Sequence, residues 1–133
     1  MPLLRYLADT NSVSDYFKPG NPVKAWFERH PAAVAISTIT LAEMRRGIEL
    51  RGDTKARYAL ERTFKFMLED YQDAILVFDE AAAVEWGRMM AANPAIPYDD
   101  SLIGAIARSC DFTVVTRNEK HFPECATVNP WTD

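Results

Sequence analysis

LLRYLADTN (residues 3–11) begins as an apolar run typical of a buried β-strand and then stops abruptly at polar side chains. The run predicts a strand over residues 3–8. Asp9, Thr10 and Asn11 follow it, and all three residue types satisfy free N–H groups at the start of a helix. Asp9 is therefore either a helix cap at a strand-to-helix turn or a carboxylate of an active site, and this stretch alone favours the cap.

The rest of the chain repeats the order of strand followed by helix. Further strands are predicted at residues 33–36, 74–78 and 112–116, with an edge strand at 126–130. Helices are predicted over residues 12–17, 22–30, 38–50, 54–72, 80–91, 100–109 and 118–122. Such alternation favours a mostly parallel central sheet with helices on both faces. Because no repeat or interdomain linker interrupts the pattern, we predict one three-layer α/β/α domain over residues 1–133.

Composition excludes several classes of protein. No apolar stretch approaches the roughly 20 residues needed to span a bilayer, and an acid at position 9 comes too early for a signal peptide. Cys110 and Cys125 lack CxxC spacing, so we interpret them as reduced thiols and expect a cytoplasmic protein without membrane contact. A zinc site from these cysteines with His30 and His121 is only weakly indicated, since no pair has ligand spacing.

Charge is unevenly distributed along the chain. A net charge of −4 argues against a protein that coats nucleic acid through a general positive field, but leaves room for a nucleic-acid enzyme with a concentrated acidic site. Seven of the fifteen basic residues fall within residues 43–65, against only four acids. This run is either a solvated helix face or a phosphate-binding rim.

Two polar clusters follow predicted strands. Asp9 ends the first strand, and Thr116, Arg117 and Asn118 end the strand over residues 112–116. In an open parallel sheet, sites form beyond the carboxyl ends of the strands. If the two strands are parallel, both clusters lie at the same edge, which favours an active-site role for Asp9.

Glu43 lies within the predicted helix over residues 38–50. Ile39 precedes it by four residues and Gly47 follows it by four, so the three share one face of the helix. Glycine in a helix costs about 1 kcal/mol relative to alanine, so we predict that this face packs closely against another element. A glutamate there is either buried with a partner or functional.

Asp99 and Asp100 begin the predicted helix over residues 100–109. Ile103 and Ala107 follow Asp100 at helical spacing, so Asp100 is predicted to head the inward face. Asp99 is offset by about 100° and is interpreted as the helix cap. We favour Asp100 for chemistry, with Asp99 in a supporting role.

Three converging carboxylates require a compensating charge. Two charges about 5 Å apart repel by around 3 kcal/mol at an effective dielectric near 20, and a divalent cation removes that repulsion. Hard oxygen ligands favour Mg²⁺ or Mn²⁺, and the matching chemistry is metal-assisted hydrolysis of a phosphodiester. We therefore expect Asp9 to bind a metal, with the cap moved to Thr10 or Asn11.

Four segments resemble the signature segments of PIN-domain ribonucleases, with particular likeness to the VapC-type toxins of bacterial toxin–antitoxin pairs. In chain order they are LADTN, ITLAEMRRGI, DDSLIGAIA and FTVVTRNEKHF. Each alone is a weak signal, but together they span essentially the whole chain. The resemblance implies a Mg²⁺- or Mn²⁺-dependent endonuclease acting on structured RNA, often tRNA. It also implies a homodimer that a small antitoxin partner holds inactive.

The resemblance also assigns roles to single residues. Asp9, Glu43 and Asp100 match the first three acids of the family, which are catalytic and bind the metal. Asn118 falls where a fourth acid is often found, and its amide can hold a metal-bound water but brings no charge. The number of metal ions is therefore left open.

Polar and basic residues near these acids receive supporting roles. Asn11 and Thr116 match positions that orient water or the first acid. Arg45, Arg46 and Arg117 are candidate contacts to RNA or to the antitoxin, with a solvent-facing role as the alternative.

Two other functions fit parts of the sequence. An aspartyl-nucleophile phosphatase also begins with a strand followed by Asp-Thr, but it uses a second Asp two residues on, where this chain has Asn11. A non-catalytic PIN module that binds RNA or a protein is the second alternative. Such modules typically lose one or more acids, whereas all three are present here.

Overall fold

The computed structural model describes residues 3–133 and contains one sheet of five parallel strands. The strands are β1 (Tyr6–Ala8), β2 (Val34–Ser37), β3 (Ile75–Leu76), β4 (Thr113–Val115) and β5 (Thr127–Val128). Their order across the sheet is β3-β2-β1-β4-β5, so β1 is central and β5 lies at an edge, as predicted. The predicted α/β architecture is confirmed, and the sheet is entirely parallel.

Six α-helices and one 3₁₀ helix connect the strands within the described residues. They are α1 (Thr10–Tyr16), α2 (Val23–Glu28), α3 (Thr38–Glu49), α4 (Lys55–Asp70), α5 (Glu80–Ala92), α6 (Tyr98–Cys110) and the 3₁₀ helix Glu119–His121. Ser37 caps α3 and Asp79 caps α5 through their side chains. The last predicted helix, over residues 118–122, is a single 3₁₀ turn.

The strands are shorter than predicted because pairing is confined to the centre of each apolar run. In β1 the paired residues begin at Tyr6, which lies opposite Val34 on one side and Thr113 on the other. The predicted strand over residues 74–78 pairs only at Ile75 and Leu76, since it lies at the edge of the sheet and Asp79 already caps the next helix.

Side chains alternate across the sheet and form two hydrophobic cores. Ala8 and Val115 pack with Trp26 of α2 and Met67 of α4, whereas Leu7 points to the other face. On that second face the strands pack against α5 and α6, through Ala82, Ile103, Ile106 and Ala107. This alternation gives the three predicted layers and leaves the carboxyl ends of the strands free for polar residues.

Two further observations concern membranes and thiols. Within residues 3–133, no helix is both long and apolar enough to cross a membrane. Cys110 and Cys125 are both free thiols, and burial raises the pKa of Cys125 to about 11.

Candidate active site

The predicted acids lie at the carboxyl edge of the sheet, contributed by different elements. Asp9 follows β1 directly, Glu43 lies on α3, and Asp100 lies in the first turn of α6. The charge of Asp9 acts on Asp100, and the charges of Asp99 and Asp100 act on Glu43. The parallel pairing of β1 with β4 also brings residues 116–118 to this edge. The negative charges of these acids therefore act on one another at this edge.

Asp9 is a buried carboxylate that also caps α1. Only 2% of its surface is exposed, and its Oδ1 accepts a hydrogen bond of 2.8 Å from the Ser12 backbone N–H. Its own N–H donates to the Val115 carbonyl of β4 at 3.0 Å. The expectation that the cap moves to Thr10 or Asn11 is wrong, because Asp9 itself is the cap. One oxygen holds the helix, and Oδ2 is left for a ligand.

Thr10 positions Glu43 across the site. Its hydroxyl donates to Glu43 Oε1 at 2.6 Å and lies 3.0 Å from the Thr40 hydroxyl. Burial raises the pKa of Glu43, the Thr10 hydrogen bond partly offsets this, and the negative charge of Asp99 raises it further. Glu43 is thus held in place in an environment that disfavours its ionised form.

The close packing predicted for Glu43, Ile39 and Gly47 is wrong for the glycine. Gly47 is exposed, and a Cβ added there would have no neighbour within 4 Å. The inward face of α3 runs through Thr40, Met44 and Ile48, one residue further along the helix. Glu43 therefore lies at the border of the buried face, half-exposed, where it can reach the acidic edge.

Asp100 faces inward above Ile103, as predicted, but Asp99 is not a cap. Helix α6 begins at Tyr98 with Pro97 as its N-cap, and no side chain caps it. Asp99 lies inside the first turn, and its charge raises the pKa of Glu43. It is therefore a fourth acid of the site rather than a structural residue of the helix end.

His121 lies against Asp100. Its Nδ1 is 2.8 Å from Asp100 Oδ2. Burial raises the pKa of Asp100, the hydrogen bond with His121 partly offsets this, and the charge of Asp9 raises it again. This histidine was considered in the sequence only as a weak zinc ligand.

The residues after β4 shape the loop beside the acids. Thr116 is fully buried, and its Oγ1 accepts a hydrogen bond of 2.9 Å from the Asn118 N–H. Asn118 is half-buried, and Asn11 is exposed in the first turn of α1. Nη1 of Arg117 lies 3.4 Å from Asp15 Oδ2, and its guanidinium carbon lies 5.9 Å from the centre of the Trp131 ring. The guanidinium therefore already has partners within the protein.

The two arginines of α3 differ in their surroundings. Arg45 pairs with Glu49 and Glu61, and this pairing raises its pKa above its ordinary range. Arg46, the next residue along α3, is exposed. Of the seven basic residues in the run, Arg45 and Arg57 pair with acids on α3 and α4, and Arg46 is the more available of the two arginines on α3.

The donor set suits a hard divalent cation, although a metal site is not fully assembled. Within residues 3–133, no three His, Cys, Asp or Glu side chains are arranged to hold one ion together. The two cysteines and two histidines considered for zinc therefore form no such group in this part of the chain. Neighbouring negative charges at the edge nevertheless contribute to the raised pKa values of Glu43 and Asp100, and a divalent cation would neutralise that charge.

Comparison with known proteins places the chain in a family. The model of the PIN domain family matches residues 6–127, most of the chain. The chain belongs to the PIN domain family. Its expected resemblance to PIN-domain toxins is confirmed by the relatives described next.

Three relatives of this PIN-domain protein cover nearly its full length. The plasmid stability protein StbB of Pseudomonas syringae pv. tomato is 32% identical over 135 residues, covering 94% of this chain and 97% of StbB. Toxin FitB of Neisseria gonorrhoeae is 32% identical over 137 residues, covering 96% and 99%, and the FitAcB crystal structure has a TM-score of 0.84. A toxin–antitoxin complex from Klebsiella pneumoniae is 25% identical, with a TM-score of 0.75 and coverage of 95% and 98%.

Two residues of the site were missed by the sequence analysis. Thr10 was considered only as a cap, yet it holds Glu43, and His121 contacts Asp100. The sequence offers only local signals for a role of these two residues in the site. Thr10 directly follows the first acid, and His121 lies three residues after Asn118, at the polar end of β4. Neither contact follows from spacing, because the partners are 33 and 21 residues away.

Proposed function

We propose that this PIN-domain protein is the toxin of a toxin–antitoxin pair and a Mg²⁺- or Mn²⁺-dependent endoribonuclease that cuts structured RNA. The observation that carries the proposal is the convergence of Asp9, Glu43 and Asp100 at the carboxyl edge of the sheet, each from a different element. Such a concentration of negative charge is costly without a cation. Asp99, adjacent to Asp100, suits metal binding, and Arg46, exposed on the helix that carries Glu43, suits phosphate binding.

Asp9, Glu43 and Asp100 would hold the divalent cation, with Asp99 beside them. When bound, the cation lowers the pKa of a coordinated water and neutralises charge on the scissile phosphate. The protein contributes the positioning of the ligands. The cap on α1 fixes Asp9, Thr10 fixes Glu43, and His121 contacts Asp100.

The loop after β4 supplies polar groups without charge. Thr116 holds the backbone of Asn118, which leaves the Asn118 amide to hydrogen-bond a water or a phosphate oxygen. Asn11, exposed on α1, is proposed to assist in orienting water. Because Asn118 brings no negative charge, we expect one tightly bound cation rather than two.

An antitoxin partner is supported by two of the relatives. FitB is a toxin, and the Klebsiella pneumoniae structure is a toxin–antitoxin complex. We propose that a cognate antitoxin inhibits this protein, that Arg46 and Arg117 contact RNA or the antitoxin, and that the protein is a homodimer. Arg45 is a weaker candidate because two glutamates already neutralise it.

The proposal is tested by RNA cleavage with matched substitutions on α6. Purified wild-type protein with Mg²⁺ should cut RNA, and Asp100→Asn should lose cleavage because it removes a metal ligand. Asp111→Asn is the control, since Asp111 is exposed at the other end of α6 in a left-handed conformation that asparagine accepts. RNA binding without cleavage by the wild type would instead identify a non-catalytic PIN module.

A further inference from the structure

The contact between His121 and Asp100 joins two elements that are separate in the sequence. Nδ1 of His121 lies 2.8 Å from Oδ2 of Asp100, well within hydrogen-bonding distance. The two side chains are 33% and 26% exposed, so water screens the contact only in part. Within the part of the chain that the structure describes, Asp100 Oδ1 accepts no hydrogen bond. One oxygen of the carboxylate is held and the other is available to a ligand.

The turn that carries His121 packs against α6 and is hydrogen-bonded to β5. The His121 N–H donates to the Asn118 carbonyl at 2.9 Å, and the adjacent Phe122 is buried in the core. Phe122 packs against Gly104, one turn along α6 from Asp100, where an added Cβ would lie 3.5 Å from the phenyl ring. Thr127 of β5 donates to Glu119 at the start of the turn at 2.7 Å. His121 is therefore held beside Asp100 by packing and by hydrogen bonds on both sides.

We propose that His121 is a positioning residue for Asp100, and that it sets the orientation in which this carboxylate binds the divalent cation. The inference rests on the function proposed above. A hydrogen bond to one oxygen fixes the rotation of the carboxyl group and points the other oxygen towards the site. Partners of this kind typically change metal affinity by about 10- to 100-fold when they are removed.

The role does not depend on the protonation state of His121. A neutral imidazole with its proton on Nδ1 donates the same hydrogen bond as an imidazolium. An asparagine at this position places its amide nitrogen the same number of bonds from Cβ as Nδ1. A glutamine instead places its amide nitrogen where Nε2 lies. The two amides therefore distinguish a hydrogen bond through Nδ1 from a general need for a polar side chain.

The test is Mn²⁺ binding to the full-length protein without RNA, measured from the electron paramagnetic resonance signal of the free ion. His121→Ala should weaken Mn²⁺ binding by about 10- to 100-fold, His121→Gln should weaken it similarly, and His121→Asn should bind nearly as tightly as wild type. Lys120→Ala, an exposed change in the same turn, is the control and should bind like wild type. Circular dichroism of each variant checks that the fold is retained.

The outcomes separate this inference from the proposed function. If Asp100→Asn abolishes Mn²⁺ binding but His121→Ala leaves it unchanged, the positioning role of His121 is wrong and the metal site stands. Equal weakening by His121→Asn and His121→Gln would also overturn the positioning role. If wild-type protein binds no Mn²⁺, or Asp100→Asn binds it as tightly, the metal site itself is wrong and both proposals fall.

Discussion

We propose that Asp9 both caps α1 and binds the metal ion, and two substitutions separate these roles. Its Oδ1 accepts the Ser12 N–H at 2.8 Å in a site that is 2% exposed, while its charge contributes to the acidic edge. Asp9→Asn keeps an oxygen at the cap and removes the charge, and asparagine caps helices about as well as aspartate. Asp9→Ala removes both. We expect both variants to lose RNA cleavage and only the alanine variant to lose substantial stability.

The size of the stability loss follows from the buried cap. Replacing a capping side chain by alanine costs about 0.5–2 kcal/mol, and a buried N–H left without a partner costs about 1–3 kcal/mol. We therefore expect Asp9→Ala to lose about 2 kcal/mol of the free energy of unfolding, whereas Asp9→Asn should change it by about 0.5 kcal/mol or less. For a chain of this size, 2 kcal/mol lowers Tm by roughly 6–10 °C.

The assay combines urea denaturation with RNA cleavage on the same preparations. Asp79 supplies the matched control, because it caps α5 by accepting the Ala82 N–H at 3.0 Å and its charge is not among those that raise the pKa of Glu43 or Asp100. Asp79→Ala should lose stability and keep cleavage. Equal destabilisation by Asp9→Asn and Asp9→Ala would refute the division of roles at Asp9, and full cleavage by Asp9→Asn would refute its place in the site.

Three further predictions concern α3. Gly47→Ala should raise Tm by the equivalent of about 1 kcal/mol, because an added methyl there meets nothing; a lower Tm would contradict the open surroundings of Gly47. Glu43→Gln should raise Tm of the metal-free protein at neutral pH, since burial raises the pKa of Glu43 above 4.5 and ionisation then costs stability. The gain in Tm should shrink as pH falls towards 4.5, because Glu43 is then protonated in the wild type as well. A difference in Tm that does not change with pH would contradict ionisation of the buried Glu43 as its cause. Arg46→Ala should reduce the salt dependence of RNA binding by about 1 in slope, with Arg45→Ala changing it less; the reverse order would contradict the availability of Arg46.

Much of the fold could be predicted from the sequence because the local signals agree with one another. Apolar runs and the periodicity of the helices indicate the same alternation of strand and helix, and the capping residues Ser37 and Asp79 lie at the boundaries that this alternation requires. The ends of the strands were less predictable. Their lengths depend on neighbouring strands, as when Tyr6 begins β1 opposite Val34 and Thr113.

The errors at the site arose where long-range contacts decide between local alternatives. Thr10 could cap α1 by residue type, but Asp9 accepts the Ser12 N–H as the N-cap, and the Thr10 hydroxyl instead donates to Glu43, 33 residues away. Asp99 could cap α6, but Pro97 starts that helix earlier. The buried face of α3 lies one residue further along the helix than predicted, so Gly47 is exposed. Periodicity in the sequence gives the buried face of a helix only approximately.

The central claim is that the acidic edge cuts RNA with the help of a divalent cation. The most direct measurement is incubation of the purified protein with total RNA, with Mg²⁺ or Mn²⁺ and in parallel with a chelator, followed by mapping of the new RNA ends. We predict new ends at defined positions with either metal, none with the chelator, and their return when the metal is restored in excess. Cleavage that persists in the chelator, or that Asp100→Asn performs as fast as wild type, would contradict the account.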